Sequence, residues 1–270
     1  MKKLTSIIAV LTAITAAAPA FAAAPNKQDQ EDITATIVRY KAAVDVNPNN
    51  AETRIHLGDA YLMNGDTENA LLQFKKAGEI DHKNTQAWVG LSRAQIRKRD
   101  FDGAINSIKE GLKSDADNAD LHFKLGQLLT RKKRDDEAIS EYREAIRFNA
   151  NLSGAHRELG AALGLRGDTD AQIAEERKAI ELSPQDSDAY YYLGSAYVAA
   201  NKLDDATQTF EKCVSLDPKH ADGFHMLSVC QGAQNKFDAA VASAESAVKL
   251  APANEDYRQT LKKLKSHQTK

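Results

Sequence analysis

A chain of 270 residues with 27% charged and 42% hydrophobic positions has the make-up of a soluble helical protein, neither disordered nor collagenous. Its formal net charge of −2 and pI near 6.4 exclude the strongly basic balance of a nucleic-acid binder.

In chain order, residues 1–22 read as a bacterial-type secretory signal peptide. Met1-Lys2-Lys3 precedes an uncharged, Ala-rich stretch, and Ala20-Phe21-Ala22 offers a small-x-small cleavage site before Ala23. Pro19 and the small-residue run suit a cleavage region better than the end of a spanning helix, with retention as an anchor the alternative. No cysteine follows the site, so lipid attachment is not expected there. Cleavage would remove Lys2 and Lys3 and take the formal charge from −2 to −4, leaving no integral membrane span. Residues 23–30 read as a polar, disordered lead. Residues 31–50, with Ile33, Ile37, Tyr40, Ala43 and Val44 before Asn47-Pro48, read as a half repeat that keeps only a second helix.

From there a strict rhythm takes over. Leu57, Leu91, Leu125, Leu159, Leu193, Leu227 and Leu261 recur every 34 residues without a slip. Small residues follow them (Gly58, Ser92, Gly126, Gly160, Gly194, Ser228), and Ala70, Ala104, Ala138, Ala206 and Ala240 recur thirteen positions after all but one of the six. Phe74, Ile108, Tyr142 and Phe210 stand four residues beyond those alanines, and Pro184, Pro218 and Pro252 close the last three units. Each unit carries two amphipathic stripes separated by a turn, as in Tyr190, Leu193, Tyr197 and then Thr207, Phe210, Val214. Gly65, Gly167, Asn201 and Asn235 share one position at the end of the first stripe, where a left-handed residue caps a helix. Six complete helical hairpins therefore span 51–254, and 255–270, with Tyr257, Leu261 and Leu264 beside Arg258, Lys262 and Lys265, reads as a solvating cap and tail. A fixed period of this kind marks a stacked array in which each unit buries its apolar face against its neighbours.

The order of large residue, Leu, Gly, Tyr, Ala, Phe, Ala and Pro resembles the tetratricopeptide repeat family. Repeat one matches through Leu57, Gly58, Tyr61, Ala70, Phe74 and Ala77, and repeat five through Tyr190, Leu193, Gly194, Tyr197, Ala206, Phe210 and Pro218. The resemblance implies an all-α, right-handed superhelical solenoid of stacked helical hairpins whose first helices line a concave groove. It places the lining at the second, fifth, ninth, twelfth and thirteenth positions of each repeat. The candidate groove residues are then Ile55, Val89, Arg93, Ile96, Arg97, Phe123, Arg131, Arg157 and Tyr191, an apolar track with arginines through its middle. Such a groove suits an extended, acidic and apolar segment of a partner protein. The alternative is that several of these side chains only pack against adjacent helices. The Lys and Asn clamp of the chaperone-tail-binding members is absent, so chaperone tethering is not implied.

One edge collects further cations, Lys98, Arg99, Lys132, Lys133 and Arg134. Arg99 and Lys133 replace the better cap at a cost of about 1 kcal/mol each. This edge reads either as a docking patch for an anionic partner, such as an acidic protein segment or anionic glycan or lipid headgroups, or as solvated turns whose cations favour the helix C-terminal dipole. The first expectation is an exported, periplasmic or extracellular interaction scaffold without enzymatic activity, monomeric or weakly oligomeric.

No catalytic, metal or cofactor site is expected. His122 and His156 hold a packing position, and Cys213 and His220 would lie about 10 Å apart if one helix persisted through both, too far for a metal set with His225 and Cys230. Gly167 and Asp168 of Arg166-Gly167-Asp168 are what the repeat turn requires. Cys213 and Cys230 occupy alanine positions of consecutive helices and read as a disulfide joining repeats five and six, with two buried thiols as the alternative. Repeat four breaks the pattern, with Gln172 at the small position, Glu176 at the large one, and Gly154, Gly160 and Gly164 in its first helix. It reads as a soft joint, unless a shifted register uses Ala171 and Ala174 as the small contacts.

Overall fold

The computed structural model describes the backbone of residues 27–268 and the side chains of residues 31–267. The expected signal peptide, 1–22, and residues 23–26 of the expected lead lie outside the described residues. Among the described residues the secondary structure is helices joined by turns, with no strand. They form two compact bodies, through Arg134 and from Asp135.

The N-terminal body contains α1 (Lys27–Val46), α2 (Ala51–Met63), α3 (Thr67–Ile80), α4 (Thr85–Arg97), α5 (Phe101–Ser114) and α6 (Ala119–Arg131). The C-terminal body contains α7 (Asp135–Phe148), α8 (Ser153–Leu165), α9 (Thr169–Leu182), α10 (Ser187–Ala199), α11 (Leu203–Leu216), α12 (Ala221–Ala233), α13 (Phe237–Leu250) and α14 (Glu255–Gln268). The first helices begin at 51, 85, 119, 153, 187, 221 and 255, which is the leucine period expressed as structure. Within each body sequential helices pack on one another, and first helices also touch the next first helix, α2 on α4, α8 on α10 and α10 on α12.

The expected lead needs correction at its inner end. Residues 27–30 are already helical, and α1 runs for 20 residues where the other second helices have 14. The Lys27-Gln28-Asp29-Gln30-Glu31 run is made mostly of helix formers, and Asp29 and Glu31 near the start oppose no dipole.

Packing follows the small and large positions. Phe74 is fully buried between Gly58 and Gly90. A Cβ at Gly90 would sit 2.3 Å from its ring, so only glycine lets α4 come this close. Phe210 seats against Gly194 in the same way. Truncating such a ring to alanine costs about 3–5 kcal/mol, because the void cannot collapse.

The hairpin turns repeat one device. Gly65, Arg99, Lys133, Gly167, Asn201 and Asn235 all have φ between 58° and 82°. The amide that follows each reaches back to the carbonyl five residues earlier, as Asp66 does to Tyr61 at 2.9 Å and Lys202 to Tyr197 at 2.8 Å. This is the double-bonded helix stop with a left-handed residue. Arg99 and Lys133 adopt it despite carrying a Cβ, a strain of about 1 kcal/mol each. At the far end α14 seats Leu264 over Gly232 and buries Tyr257, while Arg258, Lys262 and Lys265 stay exposed.

The expected disulfide is corrected. Cys213 and Cys230 are both buried free thiols. The Cys213 sulfur lies 3.0 Å from where a Cβ on Gly223 would stand, so it faces the start of α12. Cys230 lies seven residues further along that helix, a rise of about 10 Å. The two thiols fill alanine positions at different levels of the seam and cannot meet.

Candidate partner-binding groove

In the N-terminal body the candidate groove lies on α2, α4 and α6. Ile55 does not line it. At 4% exposure it belongs to the apolar cluster with Leu62, Ala70, Phe74, Ala87 and Leu91. Val89, Ile96 and Phe123 are half-buried, and Arg93, Arg97 and Arg131 are exposed. These six residues are what remains accessible of the apolar and basic track.

Their arginines already have anchors. Arg93 pairs with Asp59, one repeat back, and Arg97 donates to the carbonyl of Leu62 on the preceding first helix. The Arg131 guanidinium lies 5.3 Å over the Phe101 ring. A guanidinium has five N–H groups, so one bond orients it and leaves donors for a carboxylate. Because the Arg93–Asp59 pair is about half exposed, its own contribution to stability is at most about 1 kcal/mol.

The basic edge is partly spent on the array itself. Lys98 pairs with Glu68 and Lys132 with Asp102 at 2.9 Å, each 30 residues back. The C-terminal body has its own pairs at the same repeat positions, Arg166 with Asp136 at 2.8 Å and Gln234 with Asp204 at 2.8 Å. Ala200 stands at the matching position of repeat five, so Asp170 has no rung among the described residues. Arg99 and Lys133 remain exposed, and Arg134 is half-buried. Arg166 is thus a rung of the ladder, Gly167 the left-handed turn and Asp168 the cap of α9, accepting from the Ala171 amide at 3.2 Å.

In the C-terminal body the two expected groove residues are tied inward. Arg157 bonds Asp186 at 2.7 Å and Glu158 at 3.3 Å with its side chain 23% exposed. Burial works against its charge, but Asp186, Glu158 and Asp188 outweigh it and hold it protonated. The Tyr191 ring packs against Phe210, Tyr192 and His220, and burial pushes its hydroxyl pKa up. Neither offers the free surface expected from its position.

His220 caps α12, its Nδ1 accepting from the Gly223 amide at 3.0 Å, while Nε2 lies 3.3 Å from Asp188. Burial alone would lower its pKa, yet Asp188 and Cys213 raise it to about 10. The cap needs a free Nδ1 lone pair, so the geometry favours the neutral Nε2–H ring donating to Asp188, and on this geometric ground the cap decides.

A recurrent contact was not legible from residue types. The fourth position of repeats one to four carries three kinds of side chain, arginine, tryptophan and twice histidine, each bonded to the carbonyl six residues back. Arg54 Nε reaches Pro48 at 2.8 Å, Trp88 Nε1 reaches His82 at 2.9 Å, His122 Nε2 faces Ala116 at 2.9 Å and His156 Nε2 faces Ala150 at 3.1 Å. The shared feature is a ring or guanidine N–H at that register. A search for donors rather than for bulk would have found it.

Repeat four keeps its register. Gln172 and Glu176 are buried while Ala174 is exposed, so the shifted alternative through Ala171 and Ala174 does not hold. Gly164 and Gly160 make room for them, since a Cβ would stand 2.3 Å from the Gln172 amide and 2.7 Å from a Glu176 oxygen. Gln172 donates to the Tyr192 carbonyl at 3.3 Å. Neither Glu176 oxygen has a hydrogen-bond partner. Burial pushes its carboxyl up to about 10, with Arg157 opposing.

Comparison with known proteins agrees with the fold. No curated protein sequence matches the chain. Among solved structures, PilF of Pseudomonas aeruginosa superposes with a TM-score of 0.69 at 20% identity over 79% of this chain and 97% of that one. PilW, a type IV pilus biogenesis factor, gives 0.68 at 21% identity over 78% and 98%. The Cut9–Hcn1 assembly gives 0.69 at 16% identity over 87% of this chain, which spans 46% of that one. At these identities the likeness carries the fold alone. Four family models, each described as tetratricopeptide repeat, match residues 28–96, 89–153, 177–208 and 221–254, so the chain belongs to the tetratricopeptide repeat family.

Proposed function

We propose that this protein is a binding scaffold that receives an extended segment of a partner protein along α4 and α6. The single observation that carries the reading is the set of half-buried Val89, Ile96 and Phe123 beside the exposed, oriented guanidiniums of Arg93, Arg97 and Arg131. Apolar side chains of a partner would cover the first set while its carboxylates bridge the second. A rigid stack lowers the entropy cost of ordering such a segment. YrrB, a tetratricopeptide repeat protein with an unusual peptide-binding site, shares the fold at a TM-score of 0.58 and 23% identity, which fits this use of the architecture without naming a partner. The leader pattern supports an exported setting in a bacterial cell envelope.

Selection of random dodecapeptides against the full chain tests the proposal. Acidic peptides with spaced apolar residues should be enriched. Replacing Arg97, Phe123 and Arg131 together by alanine should weaken the best of them at least about tenfold, as for interface anchors worth 1–2 kcal/mol or more. Unchanged affinity in a variant with intact helical content removes the proposal. The reading through anionic headgroups is less favoured, because Lys98 and Lys132 are engaged by Glu68 and Asp102.

A further inference from the structure

A cavity of about 470 Å³ lies among α1, α2 and α3, away from the groove residues, lined among others by Lys41, Asp45, Arg54, Tyr61, Gln73 and Lys76. Arg54 is 8% exposed. Its guanidinium bonds two neutral acceptors, Nε to the Pro48 carbonyl and Nη1 to Gln73 Oε1, both at 2.8 Å. No carboxylate pairs with it among the described residues. A buried cation without a counter-ion is an anomaly, since burial of charge is ordinarily compensated by an opposite charge. Lys41 and Lys76 add two exposed ammonium groups to the same wall, and neither has a carboxylate partner among the described residues. Against these three cations stands one carboxylate, Asp45.

The next repeat supplies a comparison within the chain. Trp88 takes the place of Arg54 and makes the same bond, to the His82 carbonyl at 2.9 Å. The cavity beside Trp88, about 620 Å³, sets Leu71, Leu72, Leu91 and Trp88 beside Gln95 and four charged side chains, Lys75 and Lys98 against Glu79 and Asp100, so its cations are matched by carboxylates. The array therefore needs only one N–H at this position. The remaining guanidinium donors and the positive charge of Arg54 exceed what the turn contact requires. The rest of the wall suits the same ligand. Burial and Asp66 raise the Tyr61 hydroxyl pKa, which keeps it a donor, and Gln73, with its oxygen taken by Arg54, has its amide N–H groups to offer.

We propose that this cavity binds a tetrahedral oxyanion, phosphate or sulfate, through Arg54 with Lys41 and Lys76. Planar N–H pairs and ammonium groups match the oxygens of such a dianion, and its two charges balance the excess on the wall. The site is separate from the partner groove and does not depend on it.

The test is calorimetric titration of inorganic phosphate into the full chain at constant ionic strength, with chloride as the control. Saturable one-to-one binding is expected. Arg54→Trp, which copies the neighbouring repeat, should abolish it, and the exposed pair Lys41→Ala with Lys76→Ala should weaken it about tenfold while helical content is unchanged. Saturation that is insensitive to both variants, or no saturation beyond the chloride control, overturns the proposal. Hexaglutamate provides the second arm. If it binds at these residues and phosphate fails to displace it, the site serves a carboxylate segment and the oxyanion assignment falls.

Discussion

Glu176 occupies the position that holds Phe74 and Phe210 in repeats one and five, and its carboxyl is fully buried without a hydrogen bond. The charged groups that bear on it are Arg157, which favours ionisation, and Asp186, Glu158 and Glu175, which oppose it. With its carboxyl pushed up to about 10 from the ordinary 4.5, the native state keeps a proton that the unfolded chain releases. This contribution to stability is fully present below pH 4.5 and is lost as pH rises toward 10. Glu176→Gln should flatten that loss, and Glu176→Phe should stabilise the chain at pH 8 by about 3 kcal/mol, since Gly160 leaves the space that Gly58 leaves for Phe74. Urea unfolding at pH 5 and pH 8 decides it, and equal pH slopes for wild type and Glu176→Gln would contradict it. His156 acts in the same direction. Its Nδ1 lies 2.6 Å from Glu175 and its Nε2 faces Ala150, so both nitrogens donate and the bond to Glu175 raises its pKa. A raised histidine stabilises fully below pH 6.5 and ceases to do so above its folded value. Imidazole NMR titration should show His156 above 6.5, falling in Glu175→Gln; a value below 6.5 in the wild type contradicts the pair.

At the scale of elements, the seams combine an apolar interior with a charged rim. The rim pairs Lys98 with Glu68 and Lys132 with Asp102 in the N-terminal body and Arg166 with Asp136 in the C-terminal one, and a rung is missing where Ala200 and Asp170 hold the matching positions. Ala200→Lys should restore it and stabilise the α9–α10 seam by about 0.2–1 kcal/mol, an effect that vanishes in high salt. No difference between low and high salt in thermal unfolding would show that the rung does not form. Two thiols are expected to react per denatured chain after purification under oxidising conditions, because Cys213 and Cys230 lie at different levels; none reacting would mean they are bonded. The 34-residue period, the hairpin turns and the left-handed position were legible in the sequence because they follow from backbone rules that repeat with each unit, whereas the start of α1, outside the period, was not. The direction of a side chain was not. Ile55 turned inward, Arg157 and Tyr191 were tied to neighbours, and Cys213 faced Gly223, each set by local contacts that a position number does not carry.

For the whole molecule, a repeat array distributes stability over nearest-neighbour seams, so one polar hairpin becomes the place where opening begins. Glu176 and His156 both weaken repeat four as pH rises. Amides of 153–182 should therefore exchange faster relative to 187–216 at pH 9 than at pH 6, after correction for intrinsic rates; an unchanged ratio would make repeat four an ordinary unit. Such opening leaves the groove of the N-terminal body intact, and with it the property on which the functional account rests. The most direct measurement is a hydrogen-exchange footprint of the full chain with and without a selected acidic, apolar peptide. Slowed exchange concentrated in α4 and α6, lost together with binding when Arg97, Phe123 and Arg131 are alanine, is the predicted result. Slowed exchange confined to the second helices α3 and α5, with α4 and α6 unchanged, would contradict it.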